Sequence, residues 1–274
     1  MTEAILWVFR GGPDEDGDYY EYRVPAEEGM VVLDAIHWIQ ANVQPDLAAR
    51  WNCKAAKCGS CGAEVNGRPS LMCKARLHDY PEGEAITVEP LRTFPLVRDL
   101  VTDVSWNYRV NERITPFQPP EGVEDEDRRW QQVDIERSQE FRRCIECFLC
   151  QDVCHVLRNH ETEDEFAGPR YLVRMAALEM HPMDQADRRE HLKYDAGIGY
   201  CNITKCCTDV CPEHIRITDN AIIPLKERVA DEYYDPIRIL WRKIRGDRPA
   251  SADGGDGPAT TAAEQEDDAA RASR

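Results

Sequence analysis

The sequence predicts an α+β chain, with a small sheet-bearing N-terminal half and an all-helical C-terminal half. Three observations lead there. Residues 5–10 (ILWVFR) and 19–24 (YYEYRV) read as strands joined by an acidic, glycine-bearing turn at 11–17. Val31, Val32, Ala35, Ile36 and Ile39 repeat at helical spacing, which gives a helix with one buried face. From Ser138 onward the apolar pattern is helical, with Gly168-Pro169 as a helix start that places proline in the first turn.

In chain order, residues 1–105 form the first expected domain, closed by a strand at 85–88 (AITV). Residues 106–137 are expected to be a connector, marked as exposed chain by Pro116, Pro119, Pro120 and the acidic stretch 121–127. The helical domain spans 138–246. It ends on Ile237, Leu240, Trp241 and Ile244, an i, i+3, i+4, i+7 stripe beside Arg238, Arg242, Lys243 and Arg245. Such a helix either packs on its own domain or docks on a membrane partner or anionic lipid. Residues 247–274 carry seven acids and three arginines with no apolar periodicity, and are expected to be disordered.

Composition narrows the function. At 274 residues the chain can bury real cores without disulfides. It shows no secretory leader and no apolar run near the ~20 residues of a membrane span, so a soluble intracellular protein is expected. In that compartment, twelve cysteines gathered at 53–73, 144–154 and 201–211 point to metal rather than disulfides. A net charge of −17 argues against a nucleic-acid partner, whose phosphates demand a basic face. No G-x-G-x-x-G follows a strand, and no nucleophile–base pair stands near the cysteines.

The three cysteine groups carry the chemistry. Cys53-x₄-Cys58-x₂-Cys61, then Cys73, is the plant-type [2Fe–2S] spacing, and Gly59 and Gly62 let the loop pass close. Lys54 and Lys57 are positioned to offset cluster charge. A structural zinc site is the alternative, although zinc knots usually show two C-x₂₋₄-C pairs. Cys144-x₂-Cys147-x₂-Cys150-x₃-Cys154 is the bacterial run, whose fourth cysteine crosses to a second cluster. In CNITKCCTDVCP, residues 201–212, the second slot of that run holds Thr204. Cys211, before Pro212, then completes a [4Fe–4S] set with Cys144, Cys147 and Cys150. Cys154, Cys201 and Cys207 are left as three thiolates, a set suited to [3Fe–4S], since a neutral hydroxyl is a poor iron ligand. Only Cys206 is unused, and it reads as a small half-buried thiol.

On these cysteines the chain resembles the iron–sulfur subunit of the succinate dehydrogenase/fumarate reductase family over roughly residues 4–235. Residues 91–103 (LRTFPLVRDLVTD), Asn66-Gly67 and 166–169 (FAGP) are similar too. The resemblance implies a plant-type ferredoxin-like (β-grasp) domain followed by an all-helical bacterial-ferredoxin-like domain. It implies an electron carrier between an FAD-containing dicarboxylate-oxidising subunit and a quinone at membrane-anchor subunits. The place implied is peripheral, on the cytoplasmic face of the cell membrane. A non-cysteine at Thr204 matches members that hold [3Fe–4S].

Departures matter as well. The family commonly has Arg-Glu-Gly between its first two cysteines, where this chain has Lys54-Ala55-Ala56-Lys57. Many members place a proline, a tryptophan and a histidine where this chain has His155, Asn159 and Asn202. In those members the tryptophan and histidine help form the quinone pocket, so these three positions mark the expected quinone vicinity. Two other functions stay open on sequence grounds. One is an iron–sulfur adaptor of a heterodisulfide-reductase-like or glycerol-phosphate-dehydrogenase-like complex, and the other a zinc-binding interaction module.

Overall fold

A computed structural model describes residues 2–124, 129–160 and 162–245, so the expected disorder of 247–274 lies outside the described residues. Contacts group the described residues up to Ala230 into one compact unit and those from Asp231 into a second.

The first unit opens with β1 (Thr2–Arg10) and β2 (Asp18–Ala26), paired antiparallel in one continuous register from Thr2↔Ala26 to Arg10↔Asp18. Helix α1 (Val32–Asn42) follows, its entry fixed by Asp34, whose carboxylate accepts the Val31 N–H at 3.1 Å. Then come β3 (Gly62–Val65), β4 (Arg68–Leu71) and β5 (Ala85–Glu89), giving the sheet order β2-β1-β5-β3-β4. The β1–β5 pair is parallel and the rest are antiparallel. Leu6, Val8 and Val24 from the sheet meet Leu33, Ile36 and Ile39 of α1 in one core, all nearly inaccessible to solvent.

The β3–β4 hairpin is an element that strand patterning did not reveal. Its two-residue turn is Asn66-Gly67, with φ of 49° and 71°, the left-handed pair that a primed turn requires.

Residues 91–103 strap this sheet to the helices. Arg92 pairs with Glu89 at 2.6 Å and with buried Glu64 at 3.4 Å. Thr93 donates its N–H to Asp152 at 3.0 Å, and Phe94 meets Phe148 edge to face at 6.2 Å. A short ribbon of β6 (Leu96–Arg98) and β7 (Val101–Thr102) turns at Asp99, whose φ of 49° is left-handed. The Asp99 carboxylate is buried and accepts the Arg10 guanidinium at 3.1 Å and the N–H groups of Gly11 and Ala48 at 3.0 and 2.8 Å.

The helices are α2 (Ser105–Glu112), α3 (Gln132–Arg142), α4 (Leu149–Asp152), α5 (His155–His160), α6 (Gly168–Glu179), α7 (Arg189–Tyr194), α8 (Cys206–Asp209), α9 (Ile223–Tyr233) and α10 (Pro236–Arg245). Both α2 and the first turns of α3 fall inside the stretch expected to be a connector. Between them Arg188 takes over: fully buried, it donates to the Thr115 and Pro116 carbonyls at 2.9 and 2.8 Å. Its charge is met by Asp184 at 2.9 Å and Glu179 at 3.3 Å. Gly168-Pro169 starts α6 as the sequence suggests.

Asp99 is the joint of β1, the segment before the first cysteine loop and the strap. Asp99→Ala leaves Arg10 without its buried partner and two N–H groups without acceptors, and should cost about 3–5 kcal/mol. Chemical unfolding followed by circular dichroism measures this. A loss below about 1 kcal/mol would show that solvent replaces the carboxylate.

Candidate metal centres

The first cysteine group sits on a loop with two left-handed residues besides Gly59, namely Lys54 and Ala56, both at φ 53°. These reversals turn backbone N–H groups onto sulfur. Ala55 and Lys57 donate to the Cys53 sulfur and Ala56 to the Cys73 sulfur, each at 3.3 Å. Cys61 is buried at the start of β3, and desolvation beside Cys73 and Cys58 pushes its thiol up to about 12. At Cys58 burial acts the same way, but hydrogen bonds from Ser60 and Cys53 outweigh it and bring the thiol down to about 6. The two lysines expected to offset cluster charge have other partners: Lys57 pairs with Glu213 at 3.0 Å, and Lys54 lies over the Trp51 ring.

The second and third groups repeat one backbone device. Glu146 and Phe148 are left-handed at φ 54° and 61°; Ile203 and Lys205 are left-handed at φ 63° and 64°. Phe148 and Lys205 immediately precede the short helices α4 and α8. Aligning the two segments on these residues sets Cys201 against Cys144, Cys207 against Cys150 and Cys211 against Cys154. Thr204 then falls in the place of Cys147, and Cys206 in the place of Leu149 rather than of a cysteine.

The segments exchange their last cysteines. Cys144, Cys147, Cys150 and Cys211 line one cavity with Phe148, Val173, Ile215 and Ile217. Burial pushes the Cys147 thiol up to about 12, raises Cys144 and takes Cys150 well above its ordinary value. Three of the four sulfurs also meet an N–H group: Glu146 donates to Cys144, Leu149 to Cys147, and Ile215 to Cys211 at 3.4 Å. The wall carries one buried cation that sequence reasoning missed, Arg170. Its guanidinium bonds Glu146 and, at 2.9 Å, Asn111, with its centre 5.8 Å from the Phe148 ring. An arginine on a helix pattern ordinarily marks the solvent face, so only its place two residues after Gly168 hinted otherwise.

Cys154, Cys201 and Cys207 line another cavity together with Thr204, Cys206 and Thr218. Burial raises Cys154 to about 11 and Cys207 to about 12. The Thr204 hydroxyl lies 3.3 Å from the Cys206 sulfur, and Thr218 lies 3.4 Å from the Cys207 sulfur. Of the three residues expected near quinone, His155 and Asn202 line this cavity and hydrogen-bond each other at 2.8 Å. Asn159 is exposed on the same helix as His155 and is not among the residues lining the cavity.

The first and second groups abut. A Cβ on Gly59 would stand 2.8 Å from the Cys147 Cα and 2.9 Å from the Ile145 carbonyl oxygen, so the two loops meet backbone to backbone. Lys74 donates to the Pro212 carbonyl at 3.1 Å and Arg68 to the Asp209 carbonyl at 2.9 Å, tying the β3–β4 region to the last cysteine segment.

These donor sets fit iron–sulfur clusters. The ligands are all soft sulfur, the backbone aims N–H groups at several of them, and at Cys61, Cys144, Cys147, Cys150, Cys154 and Cys207 burial makes an unmetallated thiolate unfavourable, a cost that bound iron reverses. Among the described residues, no three His, Cys, Asp or Glu side chains are arranged to hold a single metal ion.

Comparison with known proteins agrees. Residues 5–108 match a 2Fe-2S iron-sulfur cluster binding domain and residues 140–215 a 4Fe-4S dicluster domain. The fumarate reductase iron-sulfur subunit of Mycobacterium tuberculosis (strain CDC 1551 / Oshkosh) is 31% identical over 78% of this chain and 88% of its own length. The subunit of that name from Escherichia coli O6:H1 is 34% identical, with the same coverage. A chain of the Mycobacterium smegmatis Sdh1 complex in the apo form is 59% identical, with a TM-score of 0.84 over 86% of this chain and 99% of that one.

Gly59 combines a φ of 71° with no room for a methyl group. Gly59→Ala should therefore destabilise the chain by about 1–3 kcal/mol and loosen the contact between the first two cysteine groups. Thermal melting measures the first effect, and protease nicking between residues 53 and 61 the second. An unchanged melt with an unchanged cleavage pattern would show that the loops separate freely.

Proposed function

The chain belongs to the succinate dehydrogenase/fumarate reductase family of iron–sulfur subunits, and on that premise we propose a full assignment of its electron path. The chain is an electron-transfer subunit of an oxidoreductase complex. Cys53, Cys58, Cys61 and Cys73 hold [2Fe–2S]; Cys144, Cys147, Cys150 and Cys211 hold [4Fe–4S]; Cys154, Cys201 and Cys207 hold [3Fe–4S]. When bound, these groups supply one-electron carriers in series. The path runs between a flavin-bearing dicarboxylate-oxidising subunit and a quinone at a membrane-anchor subunit, on the cytoplasmic face of the membrane. Among the described residues no helix is long and apolar enough to cross a membrane. The domains follow the assignment: 1–105 for the first cluster, 106–137 as connector and 138–246 for the other two.

The single observation that carries this reading is the shared backbone device of the second and third groups, which puts Thr204 where Cys147 stands. The chain's own residues do the rest. Backbone N–H groups stabilise charge on the sulfurs, Arg170 sets a fixed positive charge beside the second cavity, and apolar walls exclude water. The Gly59–Cys147 contact keeps the first step of the path short. His155 and Asn202, bonded to each other at the cavity of Cys154, Cys201 and Cys207, are the polar pair nearest to a quinone, with Asn159 one turn further along the helix of His155.

Purification of the complex from membranes tests the reading. A flavoprotein and an integral membrane subunit should co-purify with succinate:quinone activity. A preparation without flavin, or without that activity, would overturn it.

Ligand count should set cluster type. Thr204→Cys should replace the three-iron electron paramagnetic resonance signal by a four-iron one, with a lower potential and slower quinone reduction. Retention of the three-iron signal would mean that cavity shape governs instead.

Cys206→Ser should leave all cluster signals in place, because Cys206 occupies the slot of Leu149, whereas Cys207→Ser should abolish the three-iron signal. The reverse pattern would reassign the ligand.

A further inference from the structure

The second unit carries an amphipathic feature that electron transfer does not use. Helix α10 begins on Asp235, whose carboxylate accepts the N–H groups of Ile237 and Arg238 at 2.7 and 3.3 Å, with Pro236 in its first turn. Its residues Ile237, Leu240, Trp241 and Ile244 are 67%, 57%, 55% and 71% exposed. Each of the other described helices of eight or more residues buries at least one side chain; α10 buries none. Single exposed apolar residues are ordinary, but a continuous stripe marks a surface that another phase covers. A ten-residue helix is also marginal in water by itself, so burial of that stripe would stabilise it.

The charges say what covers it. Within Pro236–Arg245 there are four basic residues and no acid, in a chain of net charge −17. At about 100° per residue, Arg245 and Arg238 fall on one flank of the stripe, Arg238 paired with Glu232 at 3.0 Å, and Lys243 falls on the other. Arg242 lies toward the back with half-buried Ile239 and is bonded to Glu232. Arg245 holds its guanidinium 4.9 Å from the Trp241 ring. Cations on both edges of an apolar face are placed to reach lipid phosphates while the face enters the headgroup–acyl boundary, with tryptophan at the interface. We propose that α10 docks this subunit directly on an anionic lipid surface, in the plane of the membrane and without crossing it.

The proposal goes beyond the assignment of the electron path and does not depend on it, because lipid binding needs neither clusters in a given state nor quinone. The test is co-flotation of the full-length, cluster-loaded chain with vesicles of phosphatidylcholine alone or of phosphatidylcholine mixed with phosphatidylglycerol, at low and raised salt. Binding should require phosphatidylglycerol and weaken with salt. Lys243→Gln with Arg245→Gln should weaken it roughly 30-fold, about fivefold per charge. Leu240→Asp with Ile244→Asp should abolish it. Far-ultraviolet circular dichroism and cluster absorbance confirm that each variant is folded; should the aspartate pair misfold, the charge pair decides alone. Equal flotation with neutral vesicles, absence from both kinds, or unchanged binding by the folded variants would overturn the proposal. So would binding that appears only when vesicles contain the integral partner subunit, since the face would then belong to a protein.

Discussion

The cysteine loops depend on left-handed backbone, most of it at residues that are not glycine. A sulfur faces a shared centre, with N–H groups turned toward it, only where the chain reverses within two or three residues. Lys54, Ala56, Glu146, Phe148, Ile203, Lys205 and His214 make those reversals. Each costs roughly 1–2 kcal/mol in an L-residue. Together that is comparable with the whole net stability of an ordinary domain. The loops therefore hold their shape only because the surroundings over-determine it, and the chemistry of metal binding adds folding free energy at these places.

Those surroundings are built from buried charge as much as from apolar packing. Glu64, inaccessible in β3, takes Arg158 of α5 at 2.8 Å and Arg92 of the strap, so the sheet grips the segment just past Cys154. Asp152 sits beside the same group, and burial next to Glu64 pushes its carboxyl up to about 7. Gln151 bridges Asn107 at 2.9 Å and the Ala167 carbonyl at 3.2 Å, locking α2 and the start of α6 around α4. Such networks are costly when half satisfied, which favours one arrangement of the cysteines over near alternatives.

How much of this could be read beforehand follows from the physics of each signal. Thiol spacing is local, so the cysteine groups and the odd slot at Thr204 stood out. Strands β1, β2 and β5 and helix α1 were legible from apolar patterning. The β3–β4 hairpin was not, because its strands of four residues each are too short to show a period. Helix α2 hid in a proline-bearing stretch and buries little beyond Asn107 and Val110. Arg170 and Arg188 were invisible for a deeper reason: sequence patterns place arginine on the surface, and only tertiary partners make it stable inside. The hydrogen bond between His155 and Asn202 joins distant segments, and no local pattern encodes it.

The exchange of Cys154 and Cys211 between the two helical-domain cavities has a topological consequence. With clusters bound at both cavities as proposed, everything from α5 through α7 would lie on a closed ring. While its clusters stay bound, such a ring would restrict the chain much as a pair of crosslinks does, and each cluster lost would release one closure. Because closure entropy grows slowly with length, α6 and α7 can differ in length from relative to relative at little cost, while the two pinned ends cannot drift independently. Each cavity takes its last cysteine from the other's segment, so neither can be assembled from one segment alone.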